Sequence, residues 1–223
     1  MTNLAFDALD LHVIRGRAEA PAVSTPDREV DFATALEEVG ALAGAMRALG
    51  VTPGASVLVA LTDEYDELLA FLATLRLRAV PVLVDRVHAA VTVDPESAPE
   101  AHLPSAATLA VRHRPHLVVS AAPWPGHVHR PGAVLYRGPE PQDPETEVAW
   151  ELALRAGRTD PAPASRAEEV DGPAADVHAV AAEACAYVVG NRAVLHREVP
   201  EVGTQIGRRL GGLLGGRPVT LGR

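Results

Sequence analysis

Apolar positions from Phe32 onward recur at Phe32, Leu36, Val39, Leu42, Ala43, Met46 and Leu49, with Glu37, Glu38 and Arg47 off that stripe. This spacing predicts a helix over 32–49 with one buried side. Asp31 stands where a side chain can accept hydrogen bonds from the free N–H groups of the first turn, and Gly50 can close the helix in the left-handed conformation. After the Pro53-Gly54 turn, Val57 to Leu61 is a continuous apolar run bounded by turn residues, which predicts a strand near 57–62 covered on both faces. The alternation then repeats. Asp63, Glu64, Asp66 and Glu67 crowd the start of a second helix over 64–76, where the helix dipole favours negative charge, and Leu68, Leu69, Phe71, Leu72 and Leu75 are its apolar side. A second strand follows near 79–84. Strand, helix and strand with short joins imply a right-handed parallel crossover.

The remaining pattern is weaker. Leu4, Phe6, Leu9, Leu11, Val13 and Ile14 predict a short first helix, and Pro21 to Phe32 a small hairpin turning at Pro26-Asp27. Ser105 to His113 predicts a short helix with Ala106, Leu109 and Ala110 inward, ended by Pro115. Strands are expected at 117–120, at Val134–Tyr136 and near 186–189, and helices at Glu145 to Ala156, with Val148, Ala149, Leu152 and Ala156 on a face, and at Val199 to Leu214. The prolines of 139–144 and the Pro, Ala and charged residues of 157–173 read as linkers, with poor order expected between Ala121 and Pro144 and fraying after Gly215. The fold class expected is α/β, a mainly parallel sheet flanked by helices. Its division is a core over 1–138, a linker region over 139–173 with a helix near 145–156, and a strand and helix segment over 174–223 that completes the core.

Composition narrows the function classes. At 223 residues, 48% hydrophobic and 22% charged, the chain can build one substantial core. A formal net charge of −9 argues against a broad phosphate-binding surface, so nucleic acid is not an expected partner. The single cysteine, Cys185, cannot form an internal disulfide. No apolar run approaches the roughly 20 residues needed to cross a bilayer, and the first ten residues lack a basic and then apolar leader. A cytoplasmic protein without membrane attachment is expected.

The stretch from Val30 to Asp85 resembles the opening of the adenylate-forming enzymes, the superfamily of acyl-CoA synthetases, peptide-synthetase adenylation domains and luciferases. Phe32, Leu36, Leu49, Gly50, Val51, Gly54 and Val57 occupy matching positions, while Ala55 replaces a usual Asp and Leu77-Arg78-Ala79 stands where Ala-Gly-Ala is common. None of these residues is catalytic in the family; they build its N-terminal subdomain. In the family an Ala-Tyr-x-x-Tyr strand runs into a Ser/Thr/Gly-rich loop ending in Pro-Lys-Gly, whose backbone N–H groups and lysine hold ATP phosphates, and a His follows. Ala186-Tyr187-Val188-Val189 and Val194-Leu195-His196 resemble the two flanks, and only Gly190-Asn191-Arg192-Ala193 stands between them. The resemblance therefore implies a chain without the phosphate loop and its lysine, leaving Gly190, Arg192 and His196 as the remnants of a nucleotide site. The same residues read without the family give a buried strand, a Gly190-Asn191 turn and a returning strand. A lone Arg192 without a glycine-rich nest is ordinarily a solvated surface residue.

Other candidates carry less. His113 with His116, and His127 with His129, have the look of metal-ligand pairs, but no Cys pair or His-Glu-x-x-His helix accompanies them, and solvated loop histidines are expected. Ser120 and Ser165 lack a Gly-x-Ser-x-Gly elbow, and Gly211-Gly212 with Gly215-Gly216 lack the dinucleotide spacing. No catalytic residue and no metal are expected. The expected function is a shortened relative of the adenylate-forming N-terminal subdomain, serving as a binding or scaffolding module tied to acyl or amino-acid activation, with no cofactor. The alternatives are the N-terminal half of a split adenylating enzyme, with ATP or AMP and Mg²⁺ held in a complex, and an unrelated small-ligand binder in the crevice at the strand ends. A homodimer or a protein partner, such as a carrier protein or an adenylating enzyme, is expected to cover apolar surface at Val180 to Leu195 and at Leu210, Leu213 and Leu214.

Overall fold

A computed structural model describes residues 3–84, 106–125, 128–141, 143–164, 188–189, 192–193 and 200–222, with backbone alone at 188–189, 192–193 and 200–204. A π-helical turn, Phe6–Asp10, runs into α1 (Leu11–Ile14). Strands β1 (Pro21–Ser24) and β2 (Glu29–Asp31) form the expected hairpin and lead into α2 (Phe32–Ala48). Then come β3 (Ser56–Ala60), α3 (Glu64–Arg76) and β4 (Val80–Leu83). They are followed by α4 (Ala106–His113), β5 (Leu117–Ser120), β6 (Ala133–Tyr136), β7 (Glu147–Ala149) and α5 (Trp150–Thr159). The described chain closes with β8 (Val188–Val189), β9 (Arg192–Ala193), α6 (Pro200–Leu214) and β10 (Val219–Thr220).

Five strands form one all-parallel sheet in the order β4-β3-β5-β6-β7. The fold class is therefore α/β, as the alternating apolar runs predict. The sheet strands are buried along most of their length because both faces are covered. Helices α2, α3 and α5 lie with the larger core on one face, while α4 and Trp124 cover the other around Leu58, Val82, Val118 and Val134. Burying a large apolar side chain contributes about 1.5–3 kcal/mol, and Phe32, Phe71, Leu42, Met46 and Leu72 are all below 2% exposed or at it.

The helix starts are built as the polar positions predict. Asp31 accepts from the Thr34 N–H at 2.7 Å, and Asp63 accepts from the N–H groups of Tyr65 and Asp66 at 2.9 Å. Gly50 adopts φ 88° after the last turn of α2. Ala106, Leu109 and Ala110 of α4 point inward.

Several expectations need correction. Helix α2 is not buried on one side only: Ala41, Gly44 and Ala45 are covered as well, because α5 packs against the flank that small residues leave low. The helix expected over 145–156 begins only at Trp150, and Glu147–Ala149 is the edge strand β7. Pairing with β6 outweighs helix propensity there, and Val148 suits it, being β-branched. Leu152, expected on the inner face, is 54% exposed, whereas Trp150, Ala153, Leu154 and Gly157 are buried. The strand expected near 186–189 does not join the parallel sheet: β8 pairs antiparallel with β9, Val188 opposite Ala193 and Val189 opposite Arg192, in a separate two-stranded sheet.

The two proline-rich stretches are also more structured than expected wherever they are described. Asp143 organises a turn, accepting from the Thr146 hydroxyl at 2.7 Å and the Glu145 N–H at 3.1 Å. Beyond α5, Ala162 is buried, and its N–H donates to the Gly40 carbonyl at 3.0 Å. The C-terminus does not fray at Gly215: the Arg217 N–H donates to the Gly212 carbonyl at 2.9 Å, and β10 pairs in parallel with β1. Leu210 and Leu213, expected on an uncovered face, are buried with Ile206 against the core, and Leu214 is partly buried beside them. The surface expected over 180–195 lies outside the described side chains.

Two glycines one turn apart in α2 test this packing with opposite signs. A Cβ on Gly44 would stand 2.3 Å from the Asp160 carbonyl oxygen, a backbone atom, whereas one on Gly40 would meet only the Pro161 Cβ at 3.6 Å. Gly44→Ala is expected to destabilise by roughly 1–3 kcal/mol through overpacking. Gly40→Ala is expected to stabilise by about 0.5–1 kcal/mol through helix propensity. Urea denaturation of the two variants side by side checks this, and equal signs would refute the proposed approach of α5.

Candidate functional site

In an open parallel sheet the natural crevice lies at the carboxyl ends of the strands, where successive connections leave in opposite directions. Here that point falls between β3, which leads through α3 to β4 on one side, and β5, which leads to β6 on the other. Ala60, Ser120, Tyr136 and Ala149 form the last row of the sheet at this end. The N-termini of α3 and α5 open onto it.

The crevice is bridged by charge. Arg137, just past β6, donates from Nε to the Asp66 carboxylate at 2.7 Å, lies 3.2 Å from Glu151, and stacks its guanidinium 5.6 Å from the Trp150 ring centroid. Its backbone N–H donates to the Ser120 carbonyl at 2.8 Å, so the strand pairing sets the base of the side chain. Burial pushes the Asp66 carboxyl above its ordinary value, and the Arg137 hydrogen bond opposes that rise. In the sequence Asp66 is one of several acids favoured by the dipole of α3; its partner 71 residues away gives it a second role.

The one serine of this row is engaged locally. The Ser120 hydroxyl donates to the Ala122 carbonyl at 2.6 Å and accepts from the Ala122 N–H at 3.2 Å, closing a local turn. The histidines are spread over backbone contacts: His116 Nε2 meets the Leu49 carbonyl at 3.2 Å, and His129 Nε2 meets the Pro115 carbonyl at 2.9 Å. His113 closes α4, and His127 and Ser165 lie outside the described residues. Among the described residues no group of three or more His, Cys, Asp or Glu could hold a metal ion. Gly190 and His196 also lie outside them, and Arg192 is described only as backbone in β9. Gly211, Gly212 and Gly215 sit in or just after α6, not in a loop after a strand.

Two arginines that sequence reasoning did not single out tie the ends of the chain to this core. Arg76 makes a bidentate pair with Asp10 at 2.7 and 3.1 Å and donates from Nε to the Ala162 carbonyl at 2.6 Å. Arg209 of α6 reaches Glu64 at 2.7 Å and Glu67 at 3.1 Å, with Glu67 only 2% exposed. The sequence signal for the second was the acidic start of α3, which lacks any cation of its own in that turn. His12, also buried, places Nε2 2.8 Å from the Leu213 carbonyl, and Arg17 donates to the Gly216 carbonyl at 2.6 Å.

The architecture is that of an α/β protein with a parallel sheet and a crevice at its carboxyl edge. The sequence model of the family described as AMP-binding enzyme matches residues 11–149, and the chain belongs to this family. No curated protein sequence matches it. Among solved structures, an acyl-CoA synthetase from Brucella canis is similar with TM-score 0.66 and 16% identity, over 99% of this chain and 43% of that one. The anthranilate CoA ligase AuaEII, solved in complex with anthranoyl-AMP, is similar with TM-score 0.56 and 19% identity, over 74% of this chain and 30% of that one. A benzoate CoA ligase from Burkholderia xenovorans gives TM-score 0.52 and 17% identity, over 76% and 31% respectively. The chain thus spans less than half the length of the ligases it resembles. The family membership supports the resemblance read from Phe32, Leu36, Gly50 and Gly54. Among the described residues no helix is long and apolar enough to cross a membrane.

The charge pairs make two predictions. Arg209→Met removes the cation facing two largely buried carboxylates and is expected to cost on the order of 3–5 kcal/mol, while adding Glu67→Gln should recover a large part of it. Denaturation of the single and double variants checks this, and additive losses would refute the coupling. For Asp66, the raised folded value means that the folded state takes up a proton at higher pH than the unfolded chain. Between that raised value and the ordinary 3.8, this group's contribution to stability therefore grows as pH falls. Relative to Asp66→Asn, the wild type is expected to gain stability as pH falls from neutral toward the ordinary carboxylate range; paired urea denaturations at neutral and mildly acidic pH check this, and a flat difference between the two proteins would show Asp66 to be solvated.

Proposed function

We propose that this chain is a non-catalytic binding or scaffolding module connected with acyl or amino-acid activation. The observation that carries the reading is the β8–β9 hairpin, in which Val189 faces Arg192 and only Gly190 and Asn191 lie between them. By the family resemblance this is the place of the loop that holds ATP phosphates. Two residues cannot wrap a triphosphate with backbone N–H groups, and no lysine stands among residues 188–193. The engaged Ser120 hydroxyl and the Arg137–Asp66 bridge across the crevice agree with a role in which the domain holds a partner and carries out no reaction.

The span of 30–43% of the matched ligases favours a second reading. In it the chain supplies the N-terminal part of an adenylating complex, and ATP with Mg²⁺ is bound by residues of another polypeptide. Pyrophosphate exchange with ATP and a panel of carboxylic and amino acids separates these readings. The expected result is no exchange by the purified chain alone. Exchange by the chain alone would overturn the non-catalytic reading, and exchange appearing only with a second polypeptide would select the complex.

A further inference from the structure

The C-terminal half of α6 and the strand after it enclose an open cleft of about 800 Å³, lined by Gln205, Arg208, Gly211, Leu214, Arg217 and Thr220 among others. Its size falls within the range of about 300–1,000 Å³ common for binding sites. We propose that this cleft docks an extended acidic peptide segment of a partner protein, taken up as an added strand on the edge of β10. The proposal rests on the binding-module reading and names the surface and the partner chemistry.

One wall of the cleft is a strand edge. Among the described residues, in the sheet order β10-β1-β2, strand β10 pairs on one side only. The Leu221 N–H donates to the Ser24 carbonyl at 2.8 Å. Backbone groups of successive strand residues point to opposite edges, so the N–H and C=O of Thr220 and the C=O of Pro218 point away from β1. None of these three has a backbone partner among the described residues. Pro218 and Thr220 are exposed, while Val219 and Leu221 are buried. At the far end the Gly222 N–H is taken by Glu64 Oε2 at 2.9 Å, and at the near end Pro218 has no N–H to offer. The free ladder is therefore short, which protects it from indiscriminate pairing and leaves specificity to side chains.

Those side chains are cationic. Arg208 and Arg217 line the cleft, are exposed, and have no carboxylate partner among the described residues. Arg209 beside them is already engaged by Glu64 and Glu67. Two unneutralised guanidinium groups thus face one groove on a chain whose formal net charge is −9. Gly211 and Gly215 line the groove without side chains, so that a peptide backbone can lie close to the end of α6. An extended strand with acids on one face satisfies both features, because alternate side chains reach the arginines while its backbone meets Thr220.

Fluorescence anisotropy on the full chain tests this with a labelled octapeptide of alternating Asp and Val. The expected result is saturable, salt-sensitive binding that weakens about tenfold or more in the Arg208→Ser/Arg217→Ser double variant. N-methylation of alternate peptide amides, and separately Thr220→Pro, which removes an edge N–H without altering charge, should weaken it comparably. Failure of the Asp-Val peptide to bind would overturn the proposal. So would equal binding of a Lys-Val peptide, of the N-methylated peptide, or of an oligothymidylate of the same charge, since each would remove the acidic strand as the occupant. Pyrophosphate exchange on the same preparation keeps the two readings apart. Exchange together with peptide binding would sink the non-catalytic role and leave the groove, whereas no binding and no exchange would sink the groove alone.

Discussion

Helix α2 is surrounded, and the rest of the domain is arranged by that fact. Its apolar stripe faces the sheet and α3, while its small-residue flank at Ala41, Gly44 and Ala45 receives α5 at backbone distance. A Cβ on Gly157 would lie within 1.9 Å of the Ala41 carbonyl oxygen, so the two helices touch through main chain with no side chain between them. The segment after α5 then folds across α2, where Ala162 bonds to Gly40 and receives Arg76 from α3. A helix covered in this way cannot shift without moving α3, α5 and the N-terminal turn together, because close-packed interiors transmit displacement and do not absorb it.

Paired charge fixes what apolar packing leaves adjustable. Arg76, Arg137 and Arg209 each join segments more than sixty residues apart in the chain, to Asp10, Asp66 and Glu67 respectively. Apolar contacts are tolerant of sliding by a few tenths of an ångström, whereas a guanidinium matched to a carboxylate sets both distance and direction. In this domain the arginines at the crevice and along α3 are consumed by such fixing. At the carboxyl edge of the sheet this leaves Arg137 and Asp66 as a closed pair, while the Ser120 hydroxyl is held by the Ala122 backbone.

Much of the fold was legible in sequence where order is local. The stripe from Phe32 to Met46, the acids before Leu68 and the apolar run at 117–120 each announce an element whose type depends on its own residues. What was not legible depends on partners far along the chain. Nothing near Val148 says that Leu135 will offer it a ladder, and nothing near Val219 points to Val23. The same limit hid the candidate site. Asp66 and Glu67 fit a dipole argument on their own, and only the folded chain brings Arg137 and Arg209 against them. The small flank of α2 was visible as Ala and Gly, but the stripe rule counts large apolar residues and so read that flank as open.

The pairing of β1 with β10 brings Val23 beside Val219 and so has a bearing on synthesis. A ribosome that has released the first hairpin must go on for roughly ten to forty seconds, at about 5–20 residues per second, before the strand that covers its edge emerges. Throughout that interval β1 offers an unpaired ladder, and α1 lacks the helix that will seat on His12. Closing so long a loop adds little to the equilibrium cost, since that cost grows only with the logarithm of length. It delays the final step of folding instead, and leaves the newborn chain most open to the wrong strand just when its parallel sheet is already assembling.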